Sequence, residues 1–486
     1  MRPDRQLIVL WLGLMGFLGQ FATAGELFVG SATISITPEE PVLLDGQRST
    51  RIGRTIESPC LASAIVVETR NGEAVEHVTA FVSCDLVAIR GGEDLYALVR
   101  NEIRGKVPDE LLPRLILNAT HTHTGPVIEN DGRYDLPEEG VMVPTYYREF
   151  LVKRIGQILV EAWTKRAPAQ VAWGLGHAVV AYNRRPVFAD GKAKMYGKVN
   201  TPDFRQIEGA EDHGVEILYF WDHHDQLIGT AINVACPAQE VEGRSAVNAD
   251  FWHPIREQLR ERHGDQLVVL GWTGAGGDQS PHVIYRKPAE ERMQKLRGIS
   301  RLDELARRIV STWEDVYQAV QSDKHKDVVL EERVETVSLP YRKISTEEYE
   351  FAKAEIAKLE KTPDRNANWN RKWHSRVVER YDEQQNGLPN YEMQLRTVRL
   401  GDIAIVTNDF ELFTDFGTQI KARSPALQTF VIQLCGSGSY LPTARAVAGE
   451  GYGAIPQSSI VGPEGGQVLV DETIKQLDQL WQPKRP

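Results

Sequence analysis

The feature that most constrains this chain is an apolar run at 115–117 that leads into a hexapeptide, 121–126, reading His-Thr-His-Thr-Gly-Pro. The apolar run predicts a buried strand, and the Gly-Pro pair predicts the exposed end of that strand. Side chains two apart on a strand point the same way, so His121 and His123 are expected to present two imidazoles to one point. Such a pair suits a zinc site, or one metal ligand beside an acid/base group. Two hydrogen-bonding histidines at a strand end are the plainer interpretation.

Strand-like and helix-like segments alternate along the chain. The segments 62–67 and 79–83 predict strands joined by a hairpin at 71–72, and 145–165 predicts an amphipathic helix. This alternation predicts an α/β fold, a layered α+β arrangement of mixed sheets with surrounding helices in a single large domain, 25–486. Two charged stretches, rich in Glu, Lys and Arg, predict a solvated helical insertion at about 286–390.

The first 24 residues have the pattern of a secretory signal peptide. Arg2 and Arg5 precede an apolar core at 7–18, and small residues at 22–24 form a cleavage site. An uncleaved anchor is the alternative. The protein is therefore expected to be exported, to a periplasm or to the outside, and no later stretch is apolar for long enough to predict a transmembrane helix.

The charge and the cysteine count exclude some partners and leave others open. The net charge of −11 argues against nucleic acid as a partner and against strong attraction to anionic lipid. Contact with a membrane surface and the oligomeric state stay open. Four cysteines in a chain of 486 residues do not make a disulfide scaffold, although an exported protein can hold a disulfide.

Four further segments place reactive groups after predicted strands, each with a plainer structural interpretation beside the functional one. The Gly-rich loop could be a tight turn, the cysteine a core or disulfide residue, the glutamate solvated and the tyrosines packed. The loop lacks both the phosphate-loop and the nucleophile-elbow sequences. The groups are Asp278, Ser280 and His282 in the loop 273–282, Cys236 in 233–240, Glu411 in 409–413, and Tyr440 in 438–443 with Tyr452 beyond it.

In this order the motifs resemble the N-terminal catalytic domain of the neutral (alkaline, non-lysosomal) ceramidase family. The family's Ala-Thr-His-Thr-His-Ser/Thr-Gly-Pro is matched at 119–126, and its Gly-Asp-x-Ser-Pro at 277–281. Weaker matches are the Asn-Arg pair at 183–184, Asn-Ala-Asp-Phe at 248–251 and Ser-Tyr-Leu-Pro-Thr at 439–443. The resemblance spans nearly the whole of 25–486.

The resemblance implies a zinc-dependent amide hydrolase that acts on a small-molecule or lipid-like substrate. It implies that zinc is bound by His121, Glu411 and Tyr440. The remaining matched residues would line the site and handle the substrate carbonyl or the tetrahedral intermediate, with the serine as nucleophile or hydrogen-bonding group. These are His123, Arg184, Tyr452, Ser280 and, beside the serine, Asp278.

Two departures from the family pattern bear on this expectation. The family's second zinc histidine falls in 232–238, where this chain has none. Cys236 could replace this histidine as a thiolate, unless it forms a disulfide with Cys435. His282 could replace it instead. A third alternative is that zinc binds weakly or that the metal is a different one. The chain is also expected to lack the family's C-terminal immunoglobulin-like domain, so the substrate could be ceramide, another amide, an ester or a carbohydrate derivative.

Three other kinds of protein remain as alternatives. A non-catalytic metal-binding relative would explain the missing histidine. An amidohydrolase-type barrel also has His-x-His after a strand, but it needs further lone histidines and a late aspartate. A metallo-β-lactamase-like site needs Asp-His after the pair, where this chain has Thr124 and Gly125.

Overall fold

A computed structural model describes residues 24–135, 139–361 and 366–482. The predicted signal peptide lies outside these residues except for Ala24. The strands are, in chain order, β1 Gly25–Ser35, β2 Val42–Leu43, β3 Ile52–Gly53, β4 Leu61–Asn71, β5 Ala74–Cys84, β6 Leu115–Ala119, β7 Ala167–His177, β8 Tyr182–Asn183, β9 Pro186–Phe188, β10 Phe204–Ile207, β11 Gly214–Asp222, β12 Leu227–Val234, β13 Val268–Thr273, β14 Gln279–Ser280, β15 Asp327–Val328, β16 Leu330–Pro340, β17 Asn390–Leu400, β18 Ile403–Thr407, β19 Glu411–Leu412, β20 Gln428–Ile432 and β21 Tyr440–Leu441.

The helices are distributed along the whole described chain. They are α1 Glu93–Ile103, α2 Pro144–Thr164, α3 Trp252–His263, α4 Lys287–Arg297, α5 Arg301–Val320, α6 Thr346–Lys361, α7 Ala367–Gln384, α8 Thr414–Arg423, α9 Ala444–Gly449 and α10 Pro463–Trp481, with a 3₁₀ helix at Asp109–Arg114. None of these helices combines the length and apolar composition needed to cross a membrane.

The larger sheet has the order β13-β12-β11-β7-β1-β4-β5-β6, and β15 also pairs with β1. Its strands alternate between two faces, as the period of a strand requires. On β4, Ala64 and Val66 pack with α1 and α2, whereas Ile65 and Val67 face the second sheet.

The second sheet has the order β16-β17-β18-β20 and lies against the larger sheet. Apolar residues of both sheets fill the space between them, and α8 and α10 cover the outer face of the second sheet. With α1, α2, α3 and α5 on the outer face of the larger sheet, the protein has four layers, helix-sheet-sheet-helix. The predicted α/β class with mixed sheets and surrounding helices is confirmed.

The interval predicted as a charged helical insertion, about 286–390, is not helical throughout. It contains α4 to α7, but β15 joins the larger sheet and β16 is an edge strand of the second sheet. In β16 the inward positions Val337 and Leu339 are buried and alternate with polar residues, a strand period that the charged composition conceals. Only α6 and α7, between β16 and β17, form an excursion from the sheet.

The edge strands of the larger sheet, β6 and β13, lie side by side instead of at opposite ends. Asn118 donates its side-chain N–H to the carbonyl of Gly271 at 2.9 Å, and the Thr273 hydroxyl donates to the carbonyl of Ala119 at 3.3 Å. The larger sheet therefore closes on itself, with β6 against β13. Because both strands lead into loops that contain the sequence motifs, this closure brings the motifs together at one end of the sheet.

Candidate functional site

The two histidines of the opening motif lie in a turn after β6. His121 has a φ of 65°, a left-handed conformation that is uncommon for a residue other than glycine. The ring centroids of His121 and His123 are 4.6 Å apart and their Nε2 atoms 3.0 Å apart. The imidazoles therefore do meet, but the expected reason, alternation along a strand, is wrong, because the strand ends at Ala119.

A buried ion pair holds this turn in place. Asp85, fully buried after β5, accepts hydrogen bonds from both terminal nitrogens of Arg256 at 2.6 and 2.9 Å. It also accepts one from the Thr120 hydroxyl at 3.1 Å, and the backbone N–H of Thr122 donates to the carbonyl of Leu86 at 2.9 Å. His121, with its left-handed backbone, thus lies between Thr120 and Thr122, which are both held by hydrogen bonds.

The hydrogen bonds of His121 define its tautomer. Its Nδ1 lies 2.7 Å from the carbonyl oxygen of Val87, which can only accept, so Nδ1 carries the proton. In the neutral form of the ring the lone pair is then on Nε2. It lies 3.4 Å from the Oε2 atom of Glu411 and faces His123.

Glu411 and Tyr440 are neighbours because β19 and β21 pair in parallel with these two residues in register. Burial alone would raise the pKa of Glu411, but His121, Arg184 and a hydrogen bond from Tyr440 lower it to about 2. Burial and the adjacent Glu411 raise the pKa of Tyr440 well above its usual value. The pair is therefore a carboxylate that accepts from a protonated phenol.

Arg184 follows β8 and reaches the same point from the other side. Its side chain donates to Gln239 Oε1 at 2.9 Å, to the Gly277 carbonyl at 2.8 Å and to the Tyr440 hydroxyl at 3.0 Å, and one nitrogen lies 3.8 Å from Glu411. The ring of Tyr452 meets that of Tyr440 edge-on, with the centroids 5.3 Å apart.

Ser280 and Asp278 lie on opposite sides of the loop after β13. The Ser280 hydroxyl lies 3.0 Å from that of Tyr196, which in turn donates to Gln239, so it is one hydrogen bond removed from the Arg184 network. The carboxylate of Asp278 accepts instead from the backbone and hydroxyl of Thr414 at 3.0 and 2.7 Å, and thus anchors the start of α8. Asp278 therefore contacts the scaffold and not the histidine cluster.

The loop can reach the cluster because it contains Gly277. A Cβ at this position would lie 2.2 Å from the carbonyl oxygen of Glu411, so any side chain would push the loop away from β19.

The two candidates for the missing histidine lie away from His121. Cys236 is fully buried in the core with α3 and α5, and its thiol lies 3.5 Å from the carbonyl of Val180. It is a free cysteine, as are Cys60, Cys84 and Cys435, and burial raises the pKa of its thiol well above the usual value, so it remains protonated. No Cys236–Cys435 disulfide forms.

His282 belongs to a second cluster, which it forms with Glu240 and Glu242. Its Nε2 lies 3.0 Å from the carbonyl of Gln239 and 3.4 Å from Oε1 of Glu242. Burial alone would lower the pKa of His282, but Glu242 and Glu240 together raise it. The imidazole is therefore paired with carboxylates and does not complete the His121 group.

The fold was compared with solved structures. A crystal structure of neutral ceramidase from Pseudomonas aeruginosa is similar over 94% of this chain and 75% of that chain, with a TM-score of 0.67 and 17% identity. A second structure, described as ceramidase complexed with C2, covers 94% and 76%, with a TM-score of 0.64 and 15% identity. The chain has the neutral ceramidase fold. No protein-family model and no curated protein sequence matches it.

The resemblance implies a bound zinc ion, and the side chains around His121 show whether enough ligands for zinc are present. Among residues 24–135, 139–361 and 366–482, no three His, Cys, Asp or Glu side chains are grouped so as to hold a metal ion. However, a catalytic zinc site needs three protein ligands and keeps one position open. The His121 lone pair, the Glu411 carboxylate and the Tyr440 phenol amount to three donors, so the residues fit an open zinc site but not one with four ligands.

Two site residues escaped the sequence analysis. Glu242 lies 3.4 Å from Nδ1 of His123 on one side and 3.4 Å from His282 on the other, and it is ionised, because these histidines and Arg184 outweigh burial and lower its pKa to about 2. Gln239 links Arg184 to Tyr196. Both follow β12 within eight residues, just beyond the segment 232–238, and their polar side chains were the only indication that the sequence offers.

A cavity of about 790 Å³ opens beside this second cluster. Tyr196, Glu242 and His282 form its inner wall, and α4 and the segment before it form the outer wall. A space of this size can accommodate a small organic ligand.

Proposed function

We propose that this protein hydrolyses an amide bond in an N-acyl, lipid-like substrate, with a zinc ion bound by His121, Glu411 and Tyr440. The observation that carries the proposal is the convergence of an imidazole lone pair, a carboxylate and a phenol beside a buried arginine, within a neutral ceramidase fold. Bound zinc lowers the pKa of a coordinated water to about 7 and polarises a carbonyl.

The protein's own residues then supply orientation and proton transfer. Arg184 is fixed by Gln239 and Gly277, so its positive charge faces Tyr440 and can stabilise the oxyanion that develops on the substrate carbonyl. His123 is close to the same point, and burial and His121 lower its pKa to about 3, which keeps it neutral. Glu242, 3.4 Å from Nδ1, orients the ring so that Nε2 can take a proton from the attacking water and pass it to the leaving amine.

Metal content and amide hydrolysis should be measured together. We expect about one zinc per chain in the purified protein and turnover on a panel of N-acyl amides that includes N-acylsphingosines. His121→Ala should lose both. His224→Ala is the matched control, because His224 is exposed in the turn between β11 and β12, and it should retain both. Equal turnover in the two variants would contradict the metal-dependent mechanism.

We also infer that the protein is exported, on the basis of its first 24 residues. The four cysteines are buried and free, so the fold requires no oxidation step in either compartment. Mass spectrometry of the protein recovered from the periplasm or the medium should give an N-terminus near Gly25. Recovery of the uncleaved chain from the cytoplasm alone would contradict export.

A further inference from the structure

Arg48 is surrounded by aromatic rings at the edge of the candidate site. Its guanidinium carbon lies 4.3 Å from the ring centroid of Trp373, 5.0 Å from that of Trp369 and 5.2 Å from that of Tyr452. The tryptophans belong to α7 of the excursion between β16 and β17, whereas Tyr452 belongs to the site itself. The arginine therefore joins the excursion to the site.

A continuous series of aromatic rings leads from Arg48 to the catalytic cluster. Trp373 and Tyr452 have centroids 6.1 Å apart, and Tyr452 and Tyr440 have centroids 5.3 Å apart. On the other side Gly46, two residues before Arg48, lies against the ring of His123, where an added Cβ would be only 2.5 Å from the imidazole. Both connections place Arg48 next to the groups assigned to the chemistry.

Stacking fixes the guanidinium but leaves its hydrogen-bonding capacity unused. A guanidinium that stacks on aromatic faces still presents its N–H groups in its own plane. In the part of the chain that the structure describes, the Arg48 side chain has aromatic contacts but no hydrogen bond or ion pair with another residue. The Tyr134 hydroxyl donates to the Gln47 carbonyl at 2.8 Å and so holds the adjacent backbone. The arginine is held by aromatic contacts, and because it is partly exposed its donors are open to solvent or to a ligand.

A further cation, Arg376, lies on α7 one turn beyond Trp373. Asp131 is shared by two cations, Arg133 at 2.7 Å and Arg376 of α7 at 3.2 Å. Burial lowers the pKa of Arg376 and repulsion by Arg133 lowers it further, whereas Asp131 raises it. Arg376 is thus paired with a carboxylate, whereas Arg48 has no such partner among the described residues.

We propose that Arg48, held between Trp369, Trp373 and Tyr452, binds an anionic group of the substrate, such as a carboxylate, sulfate or phosphate. The proposal rests on the proposed function, since it assigns the substrate class of the same site: N-acyl compounds that carry a negative charge. The aromatic rings would support the apolar or ring-shaped part of the substrate between the anion and the reacting carbonyl.

The test compares N-dodecanoylglycine, which is anionic, with the neutral N-dodecanoylglycinamide. Wild-type protein should prefer the anion in kcat/KM, and Arg48→Gln should lower this preference at least about tenfold, as expected for loss of a charged hydrogen bond. Arg48→Lys, which keeps the charge but loses the planar donors, should fall between them. Arg54→Gln, at an exposed arginine of the same segment, should leave the preference unchanged. An unchanged preference in a folded Arg48→Gln variant, verified by thermal melting, would overturn the proposal.

Binding separates this proposal from the proposed function. In the His121→Ala background, calorimetry should show N-dodecanoylglycine binding at least about tenfold more tightly than the glycinamide, and Arg48→Gln should remove the difference. If hydrolysis is never detected but this difference is found, the proposed function fails and the anion site stands. If hydrolysis is found and the two ligands bind equally, the anion-site proposal is contradicted and the proposed function stands.

Discussion

The turns after β6 and β12 lie side by side and contribute different chemistry to the site. They are hydrogen-bonded to each other, since the N–H of Ala238 donates to the Thr120 carbonyl at 3.2 Å and the N–H of His123 donates to the Ala238 carbonyl at 3.4 Å. In the first turn the left-handed His121 directs an imidazole into the site. In the second, Cys236 directs its thiol into the core, and the side chain that reaches the site is the amide of Gln239.

The comparison shows that two adjacent turns can serve one site with side chains of different chemistry. The first turn supplies a potential metal ligand, and the second supplies Gln239 and Glu242, which position Arg184 and His123. A residue that replaces a ligand in the sequence therefore need not replace it in space. The four predictions that follow test this division, from the largest expected effect to the smallest.

The largest effect is expected beneath the first turn. Arg256→Met would leave Asp85 buried without its partner, and such a loss costs about 3–5 kcal/mol of unfolding free energy. Urea denaturation monitored by circular dichroism measures it. Arg262→Met is the control, since it removes only an exposed pair with Glu314 and should cost less than about 1 kcal/mol. Similar losses in both variants would mean that the buried pair does not secure the turn.

The second prediction compares the two turns directly through zinc affinity. His121→Ala should weaken zinc binding at least about a hundredfold, because a ligand matters at least as much as the groups that orient it. Cys236→Ala should leave zinc affinity within about twofold, since its thiol faces Val180. Competition with a chelator gives both values. Loss of zinc in Cys236→Ala would show that the thiol turns into the site when metal binds.

The layered architecture was predictable from the sequence because its strands and helices have clear periods. The hairpin at 71–72 is confirmed by β4 and β5, which pair up to Asn71 and Ala74, and the helix predicted at 145–165 is α2. β16 was missed because four of its eleven residues are charged. The closure of β6 against β13 depends on contacts between residues about 150 positions apart, which no local pattern records.

Among the site residues, the motifs located His121, Glu411, Tyr440 and Arg184, but their geometry could not be derived locally. The φ of His121 depends on Asp85 and Leu86, from another strand end. The direction of the Cys236 side chain depends on how the core under α3 and α5 is filled. Both are tertiary effects, and for this reason the choice between Cys236 and His282 stayed open in the sequence.

The third prediction concerns Glu240, which follows the second turn. Burial raises the pKa of its carboxyl to about 7, above the usual 4.5, so the folded state holds this proton more tightly than the unfolded state does. Its contribution to stability is then fully present below about pH 4.5 and is lost as the pH rises towards 7. Glu240→Gln should remove this loss and raise the unfolding free energy at pH 8 by about 1–3 kcal/mol relative to wild type. Denaturant titrations at pH 4.5 and pH 8 measure it, and a variant whose advantage is equal at both values would contradict the assignment.

The smallest effect is expected at Glu242, which the second turn presents to His123. Glu242→Gln keeps the size of the side chain but removes the charge at Nδ1, 3.4 Å away, so the imidazole is oriented less firmly. We expect kcat to fall about tenfold with KM little changed, the usual effect of a group that orients a catalytic residue. Glu257→Gln, at an exposed glutamate on α3, is the control and should leave kcat unchanged. A rise in KM without a fall in kcat would mean that Glu242 binds substrate and does not position His123, and the second turn would then supply recognition in place of the lost ligand.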